Sequence, residues 1–291
     1  MITFVILYFY PIFIYPLINL NPMRIALKVA YIGTDYHGFQ VQPEVKTIEG
    51  EIFRALRELK IINNPHEANY IAAGRTDKGV HALGQVIAFD TDNPGVAIPR
   101  AINSRLGNIW TWARAEVSQD FDPRRDARYR EYRYILYGKY NSASLGKASR
   151  LLNGIHDFSN FATPEKGRTS ICKVEKIDIR VERGFTVLDI RADRFLWHMV
   201  RKIATAMKMV ASGARDLSWL EQMLEPAQFT EALEPAPAYG LVLKNVEYEN
   251  IIWNEDAYAR KAIRENLEEQ FLMHGVMAEM LREFKDSMTV L

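Results

Sequence analysis

The sequence is poor in the residues that disulfide-bonded and zinc-binding proteins depend on. Cys172 is the only cysteine among 291 residues, which excludes an internal disulfide framework and is typical of the reducing cytoplasm. The six histidines are scattered, and neither HExxH nor CxxC occurs. We therefore expect no metal site.

An excess of one charge is also missing. Thirty-seven basic residues face 36 acidic ones, for a net charge of +1, so any nucleic-acid-binding surface must be local. Residues 251–291 carry a net charge of −3, which leaves +4 on residues 1–250. Hydrophobic residues make up 48% of the chain, which is enough for a sizeable core.

The third absence is charge at the N-terminus. Residues 1–22, MITFVILYFYPIFIYPLINLNP, contain no charged side chain, and the first is Arg24. The segment could span a bilayer, but Pro11 and Pro16 would each remove a helical hydrogen bond, and the charged start of a signal peptide is missing. We interpret it as lying outside the working protein, as a start codon assigned too early would produce, and expect no membrane association. The alternative is an uncleaved membrane anchor.

Hydrophobic periodicity predicts an α+β fold. Alternating residues predict strands, and residues three or four apart predict helices. The predicted strands are 24–31, 69–73, 84–90, 110–117, 129–137, 172–182, 185–193 and 239–248, and the predicted helices are 47–60, 99–106, 142–152, 195–212 and 217–224. Strands outnumber helices, and a hairpin turn at Arg183-Gly184 indicates mostly antiparallel sheet.

The order of elements predicts two similar α/β halves with a central cleft. They are separated by a connection rich in Ser, Gly and Asn near 138–146. We place the N-terminal half at 23–140 and the C-terminal half at 141–250. Residues 251–291 are then a helical acidic extension, either a peripheral appendage or a functional lid.

The most unusual short stretch is AAGRTDKGVHALGQV, residues 72–86, which joins two predicted strands. A structural turn needs only glycine and small polar residues, and Gly74, Gly79 and Thr76 supply them. The same connection also carries Arg75, Asp77, Lys78 and His81. Because flanking strands would hold these side chains rigidly, the stretch is either a plain turn or the centre of a site.

Two further segments carry basic and aromatic residues. FDPRRDARYREYRYILY, residues 121–137, has five arginines and four tyrosines. Guanidinium groups bind phosphates and tyrosine rings stack on unpaired bases, so it is either an RNA-contacting strand or a solvated strand with tyrosines on the core. We expect Tyr132 and Tyr134 on opposite faces. Arg201, in FLWHMVRKI, either reaches solvent or is buried beside a carboxylate such as one in the 72–86 loop.

Together these segments resemble the tRNA pseudouridine synthase A family. The resemblance covers roughly residues 24–250. It rests on GRTDKGVHALGQV, YIGTDYHGFQVQPEVKTIEGEI, FDPRRDARYREYRYILY, GIHDFSNF, RFLWHMVRKI and PAPAYGLVLKNVEY. The apolar leader and the acidic extension depart from the family's pattern, and the chain is less basic than that pattern.

The resemblance implies the pseudouridine synthase fold and the isomerisation of uridine to pseudouridine at positions 38–40 of the tRNA anticodon stem-loop. It also implies a homodimer that needs no cofactor, and the single cysteine fits a cytoplasmic location. Asp77 is implied as the essential carboxylate, with Arg201 paired to it and Tyr132 stacked on the target base. Arg75 is expected to assist base extrusion. Further RNA contacts are expected from Arg124, Arg128, His81 and His37.

The residue types suit that reaction. The N1–C1′ bond of uridine must break, the uracil must turn, and C5 must bond to C1′. No atoms are added, so no redox or group-carrying cofactor is required. One carboxylate stabilises or traps the positive charge that develops on the sugar, and a nearby arginine favours its charged form. Attack on C1′ and a glycal route both remain open at this point.

A protein of a different class would use the same residues without catalysis. A non-catalytic RNA-binding protein with this basic and aromatic cleft would tolerate the loss of Asp77, since a negative charge near phosphate opposes binding. Turnover by an Asp77 variant therefore distinguishes the two classes.

Overall fold

The structure is a computed structural model that describes residues 22–288. Both interpretations of the apolar leader concern residues that, apart from Pro22, lie outside this range. Within the described range, no helix has the length and apolar character needed to cross a membrane.

One sheet of ten strands organises the fold. The strands are β1 Met23–Tyr31, β2 Ile71–Ala72, β3 His81–Thr91, β4 Ile109–Glu116, β5 Tyr129–Tyr137, β6 Gly154–Asp157, β7 Ile171–Glu182, β8 Phe185–Ala192, β9 Leu241–Glu247 and β10 Asn254–Glu255. Their order is β10-β4-β1-β3-β9-β5-β8-β7-β6, with β2 beside β3. Only the β3–β9 pair is parallel among the described strands. The predicted α+β fold with a mostly antiparallel sheet is confirmed.

Six α-helices accompany the sheet in the described residues. They are α1 Ile48–Glu58, α2 Pro99–Asn103, α3 Ser142–Leu152, α4 Met199–Ala211, α5 Leu217–Met223 and α6 Ala257–Ser287. Side-chain caps fix four of their starts, because a side-chain oxygen accepts a hydrogen bond from the backbone amide three residues later at Thr47, Asn141, Asp216 and Asp256.

Two hydrophobic cores lie along the sheet. The first packs α1 against β1 and β3, and the second packs α3, α4 and α5 against β5, β7 and β8. Strand β9 contributes Val246 to the first core and Leu241 to the second. The cores therefore meet where β3 and β9 run parallel, directly after the 72–80 connection. The division into halves at residue 140 stays a prediction.

The helix predicted over 195–212 begins four residues late, so that prediction was wrong at its start. Residues 195–198 form irregular chain and a turn, and α4 begins at Met199. The cause is His198, whose backbone is left-handed at φ 65°, a conformation that a right-handed helix cannot include. The hydrophobic pattern does not encode this change of direction.

Gly33 marks a close approach between the end of β1 and the 72–80 connection. A Cβ atom at this position would lie 1.9 Å from the carbonyl oxygen of Val80. Gly33→Ala is therefore expected to lower the free energy of unfolding by about 1–3 kcal/mol or more, because backbone must move. Chemical denaturation measures the change. At Gly95 an added Cβ would meet nothing within 4 Å, so Gly95→Ala is the control, with a change within about 0.5 kcal/mol. Equal stability of the two variants would contradict the prediction.

Candidate active site

The 72–80 connection is fixed from several sides. The carbonyl of Thr76 accepts a hydrogen bond from the amide of Phe39 (3.0 Å), and its hydroxyl bonds to that of Tyr31 (2.8 Å). Arg130 donates to the carbonyl of Ala73 (3.0 Å), and Gln85 donates to that of Gly74 (2.8 Å). The backbone on the N-terminal side of Asp77 is therefore held by three other segments of the chain.

Both carboxylate oxygens of Asp77 accept hydrogen bonds. Arg201 Nη1 donates to Oδ2 at 3.1 Å, and the indole Nε1 of Trp197 donates to Oδ1 at 3.1 Å. His198 Nε2 lies 3.4 Å from Oδ2. The Asp77 side chain remains 27% exposed, so the oriented carboxylate is open to a ligand.

Arg201 is anchored as well as paired. Its Nε donates to the carbonyl of Ala236 at 2.6 Å, and its side chain is only 14% exposed. Of the two alternatives for Arg201, the structure has the arginine beside a carboxylate, with its side chain mostly withdrawn from solvent. Since a charged partner is bound on one side and a backbone carbonyl on the other, the guanidinium holds Asp77 in one place.

His198 lies against the same carboxylate. Thr163 Oγ1 is 2.9 Å from its Nδ1, which fixes the ring at its other nitrogen. Burial lowers the pKa of His198 below its ordinary value; Asp77 opposes this shift, and Arg201 adds to it. The imidazole is therefore neutral at neutral pH.

Tyr132 lies between the two cores, close to the carboxylate. Its ring packs edge-to-face on Phe195 with centroids 5.0 Å apart. Burial raises the pKa of Tyr132 to about 12, with Arg130 opposing and Asp77 adding to the shift. The prediction that Tyr132 and Tyr134 lie on opposite faces was wrong, because residues two apart in a strand share a face. Tyr134 is buried in the second core and donates to the carbonyl of Pro237.

The other face of β5 carries an ion-pair network. Arg133 binds both oxygens of Asp189 (2.7 and 2.9 Å), Arg180 adds a bond of 2.8 Å, and Lys244 bridges to Glu131 at 2.6 Å. Burial would raise the pKa of Asp189, but the hydrogen bonds from Arg133 and Arg180 hold that pKa well below its usual range. Arg133 is thus engaged within the sheet.

Removing this carboxylate gives a pH-dependent prediction. A carboxylate whose pKa is lower in the folded than in the unfolded protein stabilises the fold at pH values above its unfolded-state pKa of about 4. This contribution is lost as the pH falls below that value. Asp189→Asn should lower the free energy of unfolding at pH 7 by about 2 kcal/mol, since the three hydrogen bonds from Arg133 and Arg180 lose their charged acceptor. Urea unfolding at several pH values from 7 to 3 should show that the difference in free energy of unfolding between the variant and wild type becomes smaller as the pH approaches 3. A gap independent of pH would contradict the assignment.

The remaining predicted RNA contacts lie in different surroundings. Arg75 is exposed within the 72–80 connection, and His37 is exposed two residues before Phe39, whose amide bonds to that connection. His81 is a structural tie: its Nδ1 accepts from the Gly33 amide (3.1 Å), so its Nε2 carries the proton and donates to the Tyr239 carbonyl (3.2 Å). Burial lowers the pKa of His81, which keeps that tautomer neutral.

Arg124 and Arg128 lie in the segment that leads into β5. Both are exposed, and the Arg124 carbonyl accepts from Arg130, the residue that also holds Ala73. Arg128 lies 3.8 Å from Glu249 and lines a cavity of about 530 Å³ together with Phe121 and Tyr248. None of the residues lining that cavity bonds to Asp77.

Sequence reasoning missed Trp197, Phe195 and Arg130. An aromatic residue in an apolar stretch is typical of a helix core, and the helix was predicted to include 195–198. The left-handed turn at His198 instead directs the Trp197 indole to Asp77. Within residues 22–288, no three His, Cys, Asp or Glu side chains are placed to hold a metal ion.

Comparison with known proteins gives consistent matches. The chain is similar to tRNA pseudouridine synthase A of Methanosarcina mazei, at 53% identity over 90% of this chain and 98% of that protein. The proteins of the same name from Methanococcoides burtonii and Archaeoglobus fulgidus are 52% and 40% identical, over 89% and 91% of this chain and 95% and 98% of theirs. A family model described as tRNA pseudouridine synthase matches residues 148–249.

Two details qualify these matches. The match to the Methanosarcina mazei protein covers 90% of this chain, which is more than residues 1–250 contain. That relative therefore shares part of the acidic extension, contrary to the expectation that the extension departs from the family's pattern. Among solved structures, a Cbf5-Nop10-Gar1 complex gives a TM-score of 0.34 at 12% identity, over 63% of this chain and 45% of that one. A similarity this low supports no conclusion about this chain.

Proposed function

The chain belongs to the tRNA pseudouridine synthase A family, and from this premise we propose that it isomerises uridine to pseudouridine in tRNA. The proposed sites are positions 38–40 of the anticodon stem-loop, and the proposed working form is a cytoplasmic homodimer. The observation that supports catalysis most directly is the Asp77 carboxylate, which Arg201 and Trp197 fix in an open site.

Asp77 is proposed to act on the ribose. As the N1–C1′ bond breaks, the sugar becomes positively charged, and an oriented carboxylate stabilises or captures C1′ without the cost of reorganising at that moment. Uracil then turns, C5 bonds to C1′, C5 loses a proton and N1 gains one. The atoms balance, so the reaction is an isomerisation.

Tyr132 is proposed to hold the detached base. A ring fixed by Phe195 at the junction of the two cores offers an aromatic surface that keeps uracil from diffusing away. A base inside a helix is unreachable, so the nucleotide must be flipped, and Arg75, whose side chain is exposed, is proposed to fill the gap that the base leaves.

The surrounding surface suits unpaired RNA. The indole of Trp197 is 48% exposed and the ring of Tyr239 is 72% exposed, and aromatic rings of this kind stack on bases. Arg124 and Arg128 are proposed to contact phosphates along the same surface. An accessible carboxylate repels RNA phosphates, so a protein that only binds RNA would gain nothing from Asp77. The exposed carboxylate therefore favours the enzyme over the non-catalytic alternative.

Trp197→Phe tests the second donor to Asp77. The variant keeps an aromatic ring but loses the indole N–H, so kcat should fall about 10-fold or more, the equivalent of one hydrogen bond to a charged group. KM for tRNA should change little. The control is Trp112→Phe, because the Trp112 indole donates to the backbone of Leu83 and not to the site. Equal kcat values for the two variants would show that the Trp197 bond does not assist the reaction.

The proposed function itself is tested with purified protein and an anticodon stem-loop RNA labelled with tritium at C5. Release of tritium to water reports C5 substitution, and sequencing of the product maps the modified uridines. Pseudouridine confined to positions 38–40 is the expected result. Tight binding without any tritium release would instead favour the non-catalytic class.

A further inference from the structure

The sequence motif GIHDFSNF, residues 154–161, has no part in the reaction described so far, yet it is firmly held in the second core. The side chain of Asn160 donates to the carbonyls of Met223 and Phe229, at 2.9 Å each. Both phenylalanines of the motif are fully buried. The motif therefore fixes the position of the chain that directly follows it.

The two residues after the motif join it to the turn at the start of α4. Lys202, which is only 8% exposed, donates from its ammonium group to the carbonyl of Ala162 at 2.9 Å. The amide of Thr163 donates to the carbonyl of Trp197 at 2.9 Å, and Thr163 Oγ1 lies 2.9 Å from Nδ1 of His198. Thr163 thus holds this turn by both its backbone and its side chain.

The turn of Trp197 and His198 needs such support. The left-handed backbone of His198, at φ 65°, is unfavourable for a residue with a side chain and persists only where neighbouring groups impose it. The same turn places Nε1 of Trp197 3.1 Å from Oδ1 of Asp77 and Nε2 of His198 3.4 Å from Oδ2. Loosening the turn would therefore move two groups that face the carboxylate.

The contacts of the His198 ring define which nitrogen carries the proton. An unprotonated Nε2 would set its lone pair against the carboxylate of Asp77, so the proton of the neutral ring is on Nε2. Nδ1 is then an acceptor, and the hydroxyl of Thr163 donates to it. The positive end of the ring's N–H dipole consequently faces the same oxygen that Arg201 binds.

We propose that Thr163 is a positioning residue for the isomerisation. Its hydroxyl holds the His198 ring so that the Nε2–H group faces Asp77 and helps to keep that carboxylate charged and in place. Lys202 supports Thr163 by tethering the chain at Ala162. This role rests on the proposed function. If Thr163 only stabilised the fold, its loss would lower stability and leave turnover unchanged.

Thr163→Val tests this role, because it removes the hydroxyl but keeps the branched shape and the backbone amide. Turnover measured by tritium release should fall about 10-fold, the equivalent of one hydrogen bond, and KM for tRNA should change little. Thr163→Ser restores the hydroxyl and should recover most of the turnover. The matched control is Thr169→Val, since the exposed Thr169 instead accepts from the Ile171 amide at 3.2 Å. Equal turnover of the two valine variants, or no recovery with serine, overturns the proposal.

Lys202→Met tests whether the tether acts through the same contact. It removes the donor to the Ala162 carbonyl and should also lower turnover. Because a displaced Thr163 has no bond left to lose, Lys202→Met combined with Thr163→Val should be no slower than the slower single variant. A double variant slowed by the product of the two single effects would show independent roles and contradict the shared route.

Nitrogen NMR of histidine-labelled protein reads the ring directly and needs no turnover. The His198 signals, assigned by their absence from His198→Asn, should show a protonated Nε2 and an unprotonated Nδ1 in wild type. A proton on Nδ1 overturns the proposal. If wild type releases no tritium, the isomerase proposal fails. If it does release tritium and Thr163→Val matches its control, only the role of Thr163 fails.

Discussion

Asp77→Asn is expected to abolish pseudouridine formation while tRNA binding stays nearly unchanged. The amide has the shape of the carboxylate but not its charge, so it can neither stabilise nor trap a positive C1′. Loss of a single essential carboxylate in this way typically lowers turnover by about 10³–10⁴-fold or more. Tritium release from C5-labelled tRNA measures turnover, and a filter-binding titration measures affinity.

The matched control for this variant is Asp92→Asn. Asp92 is exposed just beyond the far end of β3, about 30 Å of strand away from the loop, and should retain wild-type activity. Substantial turnover by Asp77→Asn would remove the catalytic role of the loop and return the non-catalytic RNA-binding class.

Arg201→Leu is expected to damage both activity and stability. The substitution leaves Asp77 without its cationic partner and the Ala236 carbonyl without its donor. Breaking a fully buried pair costs about 3–5 kcal/mol, and because Asp77 is partly exposed we expect about 2–3 kcal/mol in the free energy of unfolding. Turnover should fall about 100-fold or more, since the carboxylate loses its fixed orientation.

Two further variants separate charge from geometry. Arg201→Lys keeps the positive charge but cannot reach both the carboxylate and the carbonyl as a planar guanidinium does, so it should recover stability more than activity. Arg150→Leu, on the exposed side of α3, should affect neither. If Arg201→Leu were as stable and active as Arg150→Leu, the ion pair would have no role.

The fold could be predicted from local patterns where the backbone repeats regularly. Strand β5 and helix α3 have the predicted bounds, because alternation defines the first and the Asn141 cap defines the start of the second. The start of α4 could not be predicted, since one left-handed residue, His198, ends the regular backbone without changing the hydrophobic pattern.

The site depends on contacts that sequence patterns do not show. Asp77 and Arg201 are 124 positions apart, and the need of a loop acid for a partner was the only residue-level hint of their pairing. The hydrogen bond from the Trp197 indole to Asp77 had no such hint, because an aromatic residue in an apolar stretch predicts a side chain in the core of a helix.

A structure of the Asp77→Asn variant bound to an unmodified anticodon stem-loop tests the central claim most directly. The inactive variant should hold the target uridine flipped out of the helix, with its C1′ about 3–3.5 Å from the side chain at position 77 and its uracil against Tyr132. A flipped uridine bound elsewhere, or a C1′ far beyond contact with residue 77, would contradict the assignment of this carboxylate to the reaction.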